Sequence, residues 1–173
     1  TPGSNKLVWW KCEQGHDHEW RSKIYRRVEG RNCPICAGFK VVLSNSLITT
    51  NPKLAVEWHP TKNGNLSPND FAIGSTKKIW WKCEQGDDHE WESTIYSRGR
   101  GTDCPICSGA KIVLSNCLKT KNPELAEEWH RTKNGTLTPL DVAPWSRKSV
   151  WWKCKVISEH EWRTNIGSRS NGT

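Results

Sequence analysis

From His18 the chain alternates. His18, Trp20, Ser22 and Ile24 fall on one face of an extended segment, and Glu19, Arg21, Lys23 and Tyr25 on the other. His89, Trp91, Ser93 and Ile95 repeat the first set. A period of two predicts a strand whose inward face carries a histidine and the bulky apolar groups. The competing reading is a helix over residues 20–27, which would also set Trp20 beside Ile24. Upstream, residues 6–11 read as a partner strand. Farther along, the period changes. Asn51-Pro52 and Asn122-Pro123 supply a helix N-cap followed by proline in the first turn. Leu54 and Trp58 stand four apart, as do Leu125 and Trp129, so a short helix burying that face is predicted in each place. Gly64 and Gly135 are its stop signals. Residues 39–43 and 110–114 read as short strands, and Leu66-Ser67-Pro68 and Leu137-Thr138-Pro139 as ordered connectors.

These patterns recur because the chain repeats itself. Cys12, Cys83 and Cys154 are 71 residues apart; so are His18, His89 and His160, and Trp20, Trp91 and Trp162. The same offset relates Cys33 to Cys104, Cys36 to Cys107, and Trp58 to Trp129. The predicted units are residues 1–71, 72–142 and a truncated third at 143–173, which lacks its second cysteine pair. With no Met in the sequence, we expect the chain to be a segment of something longer.

Each full unit reads Cys-x5-His, fourteen residues, then Cys-Pro-Ile-Cys. Two ligand pairs on tight turns, separated by about a dozen residues, suit tetrahedral zinc. The predicted ligands are Cys12, His18, Cys33 and Cys36 in the first unit and Cys83, His89, Cys104 and Cys107 in the second. Cys154 and His160 form half a site, and Ile157 stands there where the full units have Gly15 and Gly86. A disulfide framework fits less well, because a histidine completes each set and a spacing of two is poor for a disulfide. His16 has Asp87 at the matching position of the second unit and is a spare; Cys117 stands where the first unit has Ser46 and reads as a buried or free thiol. Thiolate ligands imply a reducing, intracellular compartment: the nucleus in a eukaryote, the cytoplasm or nucleoid in a bacterium.

Composition narrows the class. No stretch approaches the ~20 apolar residues of a membrane span, and no positive-then-apolar leader is present. A charged fraction of 25% with 12 Trp is not a disordered tail, while aliphatic residues are too sparse for one large core. The expected architecture is therefore a tandem of small zinc-dependent α+β modules, each a metal-centred β-hairpin plus a short helix. With four protein ligands the zinc has no position for water, and no catalytic set stands apart from the metal frame, so no catalytic activity is expected.

At these residues the chain resembles a zinc-ribbon or treble-clef repeat family whose signature runs L-A-x-E-W-H-P-T-K-N-G, W-W-K-C, H-E-W and C-P-x-C. Leu54–Gly64, Trp9–Cys12, His18–Trp20 and Cys33–Cys36 carry it here, and the second unit matches from Leu125 to Gly135, with Arg131 in place of proline, and from Trp80 to Cys107. The resemblance implies zinc binding, tandem arrays and a DNA-binding role, in some members beside nuclease domains.

The net charge of +8 is uneven: +4 in residues 1–71, zero in 72–142 and +4 in 143–173. A basic array interleaved with aromatics favours a polyanion, here double-stranded DNA, with the array a monomer and part of a larger protein carrying further repeats or an effector domain. Groups that recur are candidate phosphate clamps: Lys11, Lys82 and Lys153; Arg27, Arg98 and Arg169; Lys62 and Asn63 with Lys133 and Asn134. Outward positions that vary are candidate base readers: Arg21, Glu92 and Arg163, and Lys23, Thr94 and Asn165. The neutral middle unit favours the alternatives, a protein-interaction or spacer array, with RNA a third partner class. Trp20, Trp91, Trp58 and Trp129 are expected in the core. One of each Trp9-Trp10 pair should face outward or pack against a neighbouring unit, and His59 and His130 should bond a helix end.

Overall fold

A computed structural model describes residues 1–172. Three antiparallel hairpins recur: β1 (Leu7–Lys11) with β2 (Glu19–Lys23), β3 (Lys78–Lys82) with β4 (Glu90–Thr94), and β5 (Ser149–Lys153) with β6 (Glu161–Asn165). The register sets Trp10 opposite Trp20, Trp81 opposite Trp91 and Trp152 opposite Trp162. Such aromatic cross-strand pairs supply the apolar area that a two-stranded sheet otherwise lacks. Trp81 and Trp152 are fully buried. Each inner indole also donates to the opposite strand, Trp10 to Ser22 O (3.2 Å), Trp81 to Ser93 O (3.0 Å) and Trp152 to Thr164 O (3.3 Å). The alternation thus reads as strand over residues 19–23, and helix begins only at the next residue. These helices are α1 (Ile24–Val28), α4 (Ile95–Gly99) and α7 (Ile166–Ser170).

Between the hairpins lie two short helices per repeat, α2 (Leu47–Thr50) with α3 (Pro52–Val56), and α5 (Leu118–Lys121) with α6 (Pro123–Glu127). The predicted caps form: Asn51 Oδ1 accepts the Leu54 N–H (3.1 Å) and Asn122 Oδ1 the Leu125 N–H (3.2 Å). Gly64 and Gly135 take φ of +58° and +59°, but α3 and α6 already end at Val56 and Glu127, so these glycines turn the loop that follows instead of stopping the helix. The strands expected over residues 39–43 and 110–114 do not form. Asn45 explains the difference, since its side chain accepts the Val42 N–H (2.8 Å) and donates to Ile35 O (2.9 Å) and Lys40 O (3.0 Å), coiling the segment into a turn that ends in 3-10 helix Leu43–Asn45. Asn116 does the same for 3-10 helix Leu114–Asn116.

The chain divides into two compact units, one of Thr1–Lys82 with Glu90–Thr102, the other of Cys83–His89 with the chain from Asp103 onward. In the first, Trp20, Cys33 and Ile35 are buried together, with Trp10, Cys12 and Val42 packed on them. In the second, Leu118, Leu125, Trp129, Val142, Val150, Trp152 and Ile166 form one core. Within each unit, the helical segment of one repeat grips the hairpin of the next. Trp58 forms an isolated antiparallel bridge with Trp81 and meets its ring edge-on (centroids 5.8 Å apart, 78°). His59 N–H donates to Trp80 O (3.1 Å) and Lys82 N–H to Glu57 O (2.8 Å). Asn63 then clasps the strand, accepting the Trp80 N–H (2.9 Å) and donating to Trp80 O (3.0 Å). Trp129, His130 and Asn134 hold Trp151 and Trp152 in the same way.

Asn134→Ala leaves the Trp151 N–H without its acceptor. It should cost about 1–3 kcal/mol, read as a lower urea midpoint of the zinc-loaded protein, whereas exposed Asn65→Ala should stay within about 0.5 kcal/mol of the parent.

Candidate metal centres

Each hairpin ends in a turn that presents the first ligand pair. Cys12 N–H donates to His18 O (3.0 Å), and Cys83 N–H to His89 O (3.0 Å), closing the loop so that cysteine and histidine face the same side. The second pair sits on the Cys-Pro-Ile-Cys turn, where Ala37 N–H bonds Cys33 O (3.1 Å) and Gly38 N–H bonds Ile35 O (3.0 Å). The turn leaves through Gly38 at φ +74° and, in the second repeat, Gly109 at +75°.

The donor atoms of Cys12, His18, Cys33 and Cys36 all lie within 4.8 Å of one another, as do those of Cys83, His89, Cys104 and Cys107. Zinc with Zn–S of about 2.3 Å and Zn–N of about 2.0 Å needs tetrahedral edges near ~3.8 Å between sulfurs and ~3.5 Å between sulfur and nitrogen. The observed edges match: Cys12 Sγ to Cys36 Sγ 3.6 Å, His18 Nδ1 to Cys36 Sγ 3.3 Å and to Cys33 Sγ 3.8 Å. The second set gives 3.7, 3.3 and 3.8 Å. These two Cys3His groups are suited to zinc, with no ligand position left over.

Without a cation, burial and crowding oppose ionisation of one thiol in each set. Burial and the neighbouring thiols of Cys12 and Cys33 push Cys36 up to about 11, and burial with Cys83 and Cys104 pushes Cys107 up to about 12. Burial also opposes ionisation of Cys33, but hydrogen bonds from the Cys36 and Ile35 amides and from the Cys36 and Cys12 thiols together outweigh it and lower its pKa. Three thiols this close cannot ionise together unless a divalent cation takes the place of their protons.

The histidines are oriented from outside the tetrahedron. With Nδ1 toward the sulfurs, His18 Nε2 meets Ser44 Oγ (3.2 Å), which donates to Asp17 Oδ1 (2.6 Å). His89 Nε2 meets Ser115 Oγ (3.3 Å), and the Ser115 N–H donates to Asp88 Oδ2 (2.8 Å). Hydrogen bonds from the Ser44 hydroxyl and amide hold Asp17 below the usual carboxylate range; Asp88 is lowered by Ser115 likewise. Outer partners of this kind fix a ligand histidine's tautomer. Sequence reasoning overlooked them, although Asp-His and Leu-Ser-Asn recur at the 71-residue offset.

The third half-site differs. A Cβ at Gly15 would stand 2.5 Å from His18 Cδ2, and one at Gly86 2.7 Å from His89 Cδ2, so the buried ring position requires glycine there. Ile157 occupies that position in the third repeat, and His160 is exposed where His18 and His89 are buried. The Cys154 turn nevertheless forms, with the Val156 N–H directed at its sulfur (3.4 Å). Cys117 is buried, its thiol on Leu114 O (3.2 Å), as expected of a structural thiol.

The candidate surface contacts separate into two groups. Arg98 is 6% exposed, its guanidinium 5.4 and 5.2 Å from the ring centroids of Trp81 and Trp91, and it is bonded to Glu57 and to Thr102 O. Arg169 lies between Trp152 and Trp162 and pairs with Glu128; Arg27 lies over Trp10 and Trp20. Arg98, expected as a phosphate clamp, is buried between indoles, and Asn63 and Asn134, expected likewise, clasp the adjoining strand. Lys62 and Lys133 pair with Glu90 and Glu161 and cover Trp80 and Trp151 at 4.5 and 4.7 Å. These lysines, with His59 and His130, hold both carboxylates down to about 2. Thr94 and Asn165 cap α4 and α7, accepting the Ser97 N–H (3.1 Å) and the Ser168 N–H (3.2 Å), and Asn165 Nδ2 donates to Arg147 O (2.7 Å). Lys23, at the matching position, bonds Asn5 Oδ1 (3.1 Å). Arg21, Glu92 and Arg163 remain exposed at one register, opposite Trp9, Trp80 and Trp151. Lys11 lies 3.4 Å from Glu19 on the surface, and Lys82 and Lys153 lie 3.9 and 3.8 Å from Glu90 and Glu161.

Gly86→Ala should expel the His89 ring and abolish tight zinc binding at the second centre, while Gly74→Ala, with open space around it, should change nothing. Ser115→Ala should weaken zinc at that centre about 10- to 100-fold. Competition against a chromophoric chelator measures all three.

No curated protein sequence matches the chain. Residues 1–39, 54–110 and 125–173 match the family described as a probable treble clef zinc finger domain. Hairpin, knuckle and Cys3His geometry accord with that match, and the chain belongs to this treble clef zinc finger family.

Proposed function

We infer that the chain is a non-catalytic tandem zinc-finger array that binds double-stranded DNA and targets a larger protein to it. The observation that carries this reading is the pair of exposed arginines, Arg21 and Arg163, at one hairpin register, neither with a carboxylate partner among the described residues. Lys11, Lys82 and Lys153 stand two residues away along the partner strands from Trp9, Trp80 and Trp151, which face that register. They add backbone contacts. Glu92 occupies the same register in the second hairpin and repels phosphate there, so contact concentrates on the first and third hairpins. With four protein ligands, the zinc ions support the fold and activate no water. No described helix is long and apolar enough to cross a membrane. Cysteines used as zinc ligands fit a reducing compartment.

One observation favours a spacer or protein-interaction array instead: Arg98, Asn63 and Asn134, read as clamps, are engaged inside the protein.

Fluorescence titration of zinc-loaded protein with random duplex DNA, single-stranded DNA and duplex RNA at two salt concentrations separates the readings. Micromolar or tighter binding to duplex DNA that weakens steeply with salt is expected. Arg21→Glu with Arg163→Glu should lower that affinity more than about tenfold and reduce the log–log salt slope by about two. No binding to any of the three at low salt would overturn DNA recognition and leave the spacer reading.

A further inference from the structure

Beside the first knuckle lies an open cavity of about 350 Å³ lined by Trp20, Arg21, Arg26, Arg31, Asn32 and Phe39, among others. Its make-up is that of an anion site with an aromatic wall. Arg21, Arg26 and Arg31 are exposed, and none has a carboxylate ion pair among the described residues. Arg26 Nε rests on the Tyr25 hydroxyl (3.4 Å), and Glu29 is the acid in its electrostatic surroundings. The Arg31 N–H donates to Arg26 O (3.1 Å), which holds these two residues together at the end of α1. Phe39 is 89% exposed, so its ring face is open to a ligand in this cavity.

The repeat supplies an internal comparison. At the 71-residue offset, Arg21 becomes Glu92, Arg26 becomes Ser97, Arg31 becomes Thr102, Asn32 becomes Asp103 and Phe39 becomes Ala110. The scaffold positions Trp20, Ser22 and Pro34 keep their residue types in Trp91, Ser93 and Pro105. Three positive charges and the exposed ring are therefore absent from the second repeat, where two acids enter instead. A fold requirement would act on both repeats alike; the second repeat lacks this set.

We propose that the cavity holds one unpaired nucleotide of a nucleic acid, the arginines taking its phosphates and Phe39 stacking on its base. This deepens the DNA-binding reading and rests on the partner being a nucleic acid. A duplex alone leaves Phe39 without a base face to cover, whereas a bulged or frayed nucleotide offers a π-face and a flexible phosphate together.

The test compares three probes on the zinc-loaded full chain: a short blunt duplex, the same duplex with one bulged nucleotide, and a 5′-phosphorylated trinucleotide. The bulged duplex should bind about tenfold tighter than the blunt one. Phe39→Ala should bring that ratio to about one, and Arg26→Ser with Arg31→Thr, the second repeat's residues, should remove trinucleotide binding. Zinc content and circular dichroism verify that the variants are folded. Equal, salt-steep binding of both duplexes by the parent, or a preference that survives Phe39→Ala, overturns the cavity proposal and leaves the array reading standing. Trinucleotide binding that depends on Phe39, with neither duplex bound, supports the cavity and overturns the duplex reading. Binding of no probe overturns both.

Discussion

Convergence of three thiols and an imidazole within 4.8 Å governs what this chain can be. Protons cannot satisfy that geometry, because sulfurs at such separations repel once ionised; a divalent cation can. Fourteen residues separate the strand turn from the Cys-Pro-Ile-Cys turn, and little aliphatic mass lies between them. Zinc therefore substitutes for the core that a segment of this size and composition does not otherwise build. Asp17 with Ser44 and Asp88 with Ser115 extend its influence outward, since a histidine held at both nitrogens cannot drift from the metal.

The second organising element is the indole pair on each hairpin, closed by an arginine. Arg98 sits over Trp81 and Trp91 and reaches Glu57 of the preceding helical segment. A desolvated cation on an aromatic face is worth about 2 kcal/mol, and the ion pair removes the penalty of leaving the charge alone. The same geometry at Arg169 and Glu128 makes the joint a property of the repeat. Trp9, by contrast, is 69% exposed, while Lys62 and Lys133 cover its counterparts Trp80 and Trp151.

Much of this was legible in the sequence, and the reasons are specific. Period-two alternation from His18 located β2 and its buried face, and ligand spacing located both metal centres. The Asn-Pro cap located α3 and α6. Recurrence was less informative about Lys62, Asn63 and Arg98, because a group that repeats for folding and one that repeats for binding leave the same mark. Only the distances to Trp80 and Trp81 separate the two. Residues 39–43 read as strand because Val and Leu dominate there; the deciding residue, Asn45, lies outside the apolar run and acts through three backbone contacts that no periodicity records. The outer Asp–Ser partners left a mark in the recurring Asp-His and Leu-Ser-Asn, but at 27 residues apart nothing in the spacing pairs them.

The clasp has an implication for how such arrays can be rearranged. Asn63 and Lys62 stand in one sequence period, and the Trp80 and Glu90 that they grip stand in the next. Exchanging a single period between arrays would therefore carry half of each joint and leave half behind. A donor segment is interchangeable only when its upstream neighbour supplies the lysine, histidine and asparagine that its own hairpin expects. The repeats obey a rule of succession, with a fixed direction and a built-in check on which unit may follow which.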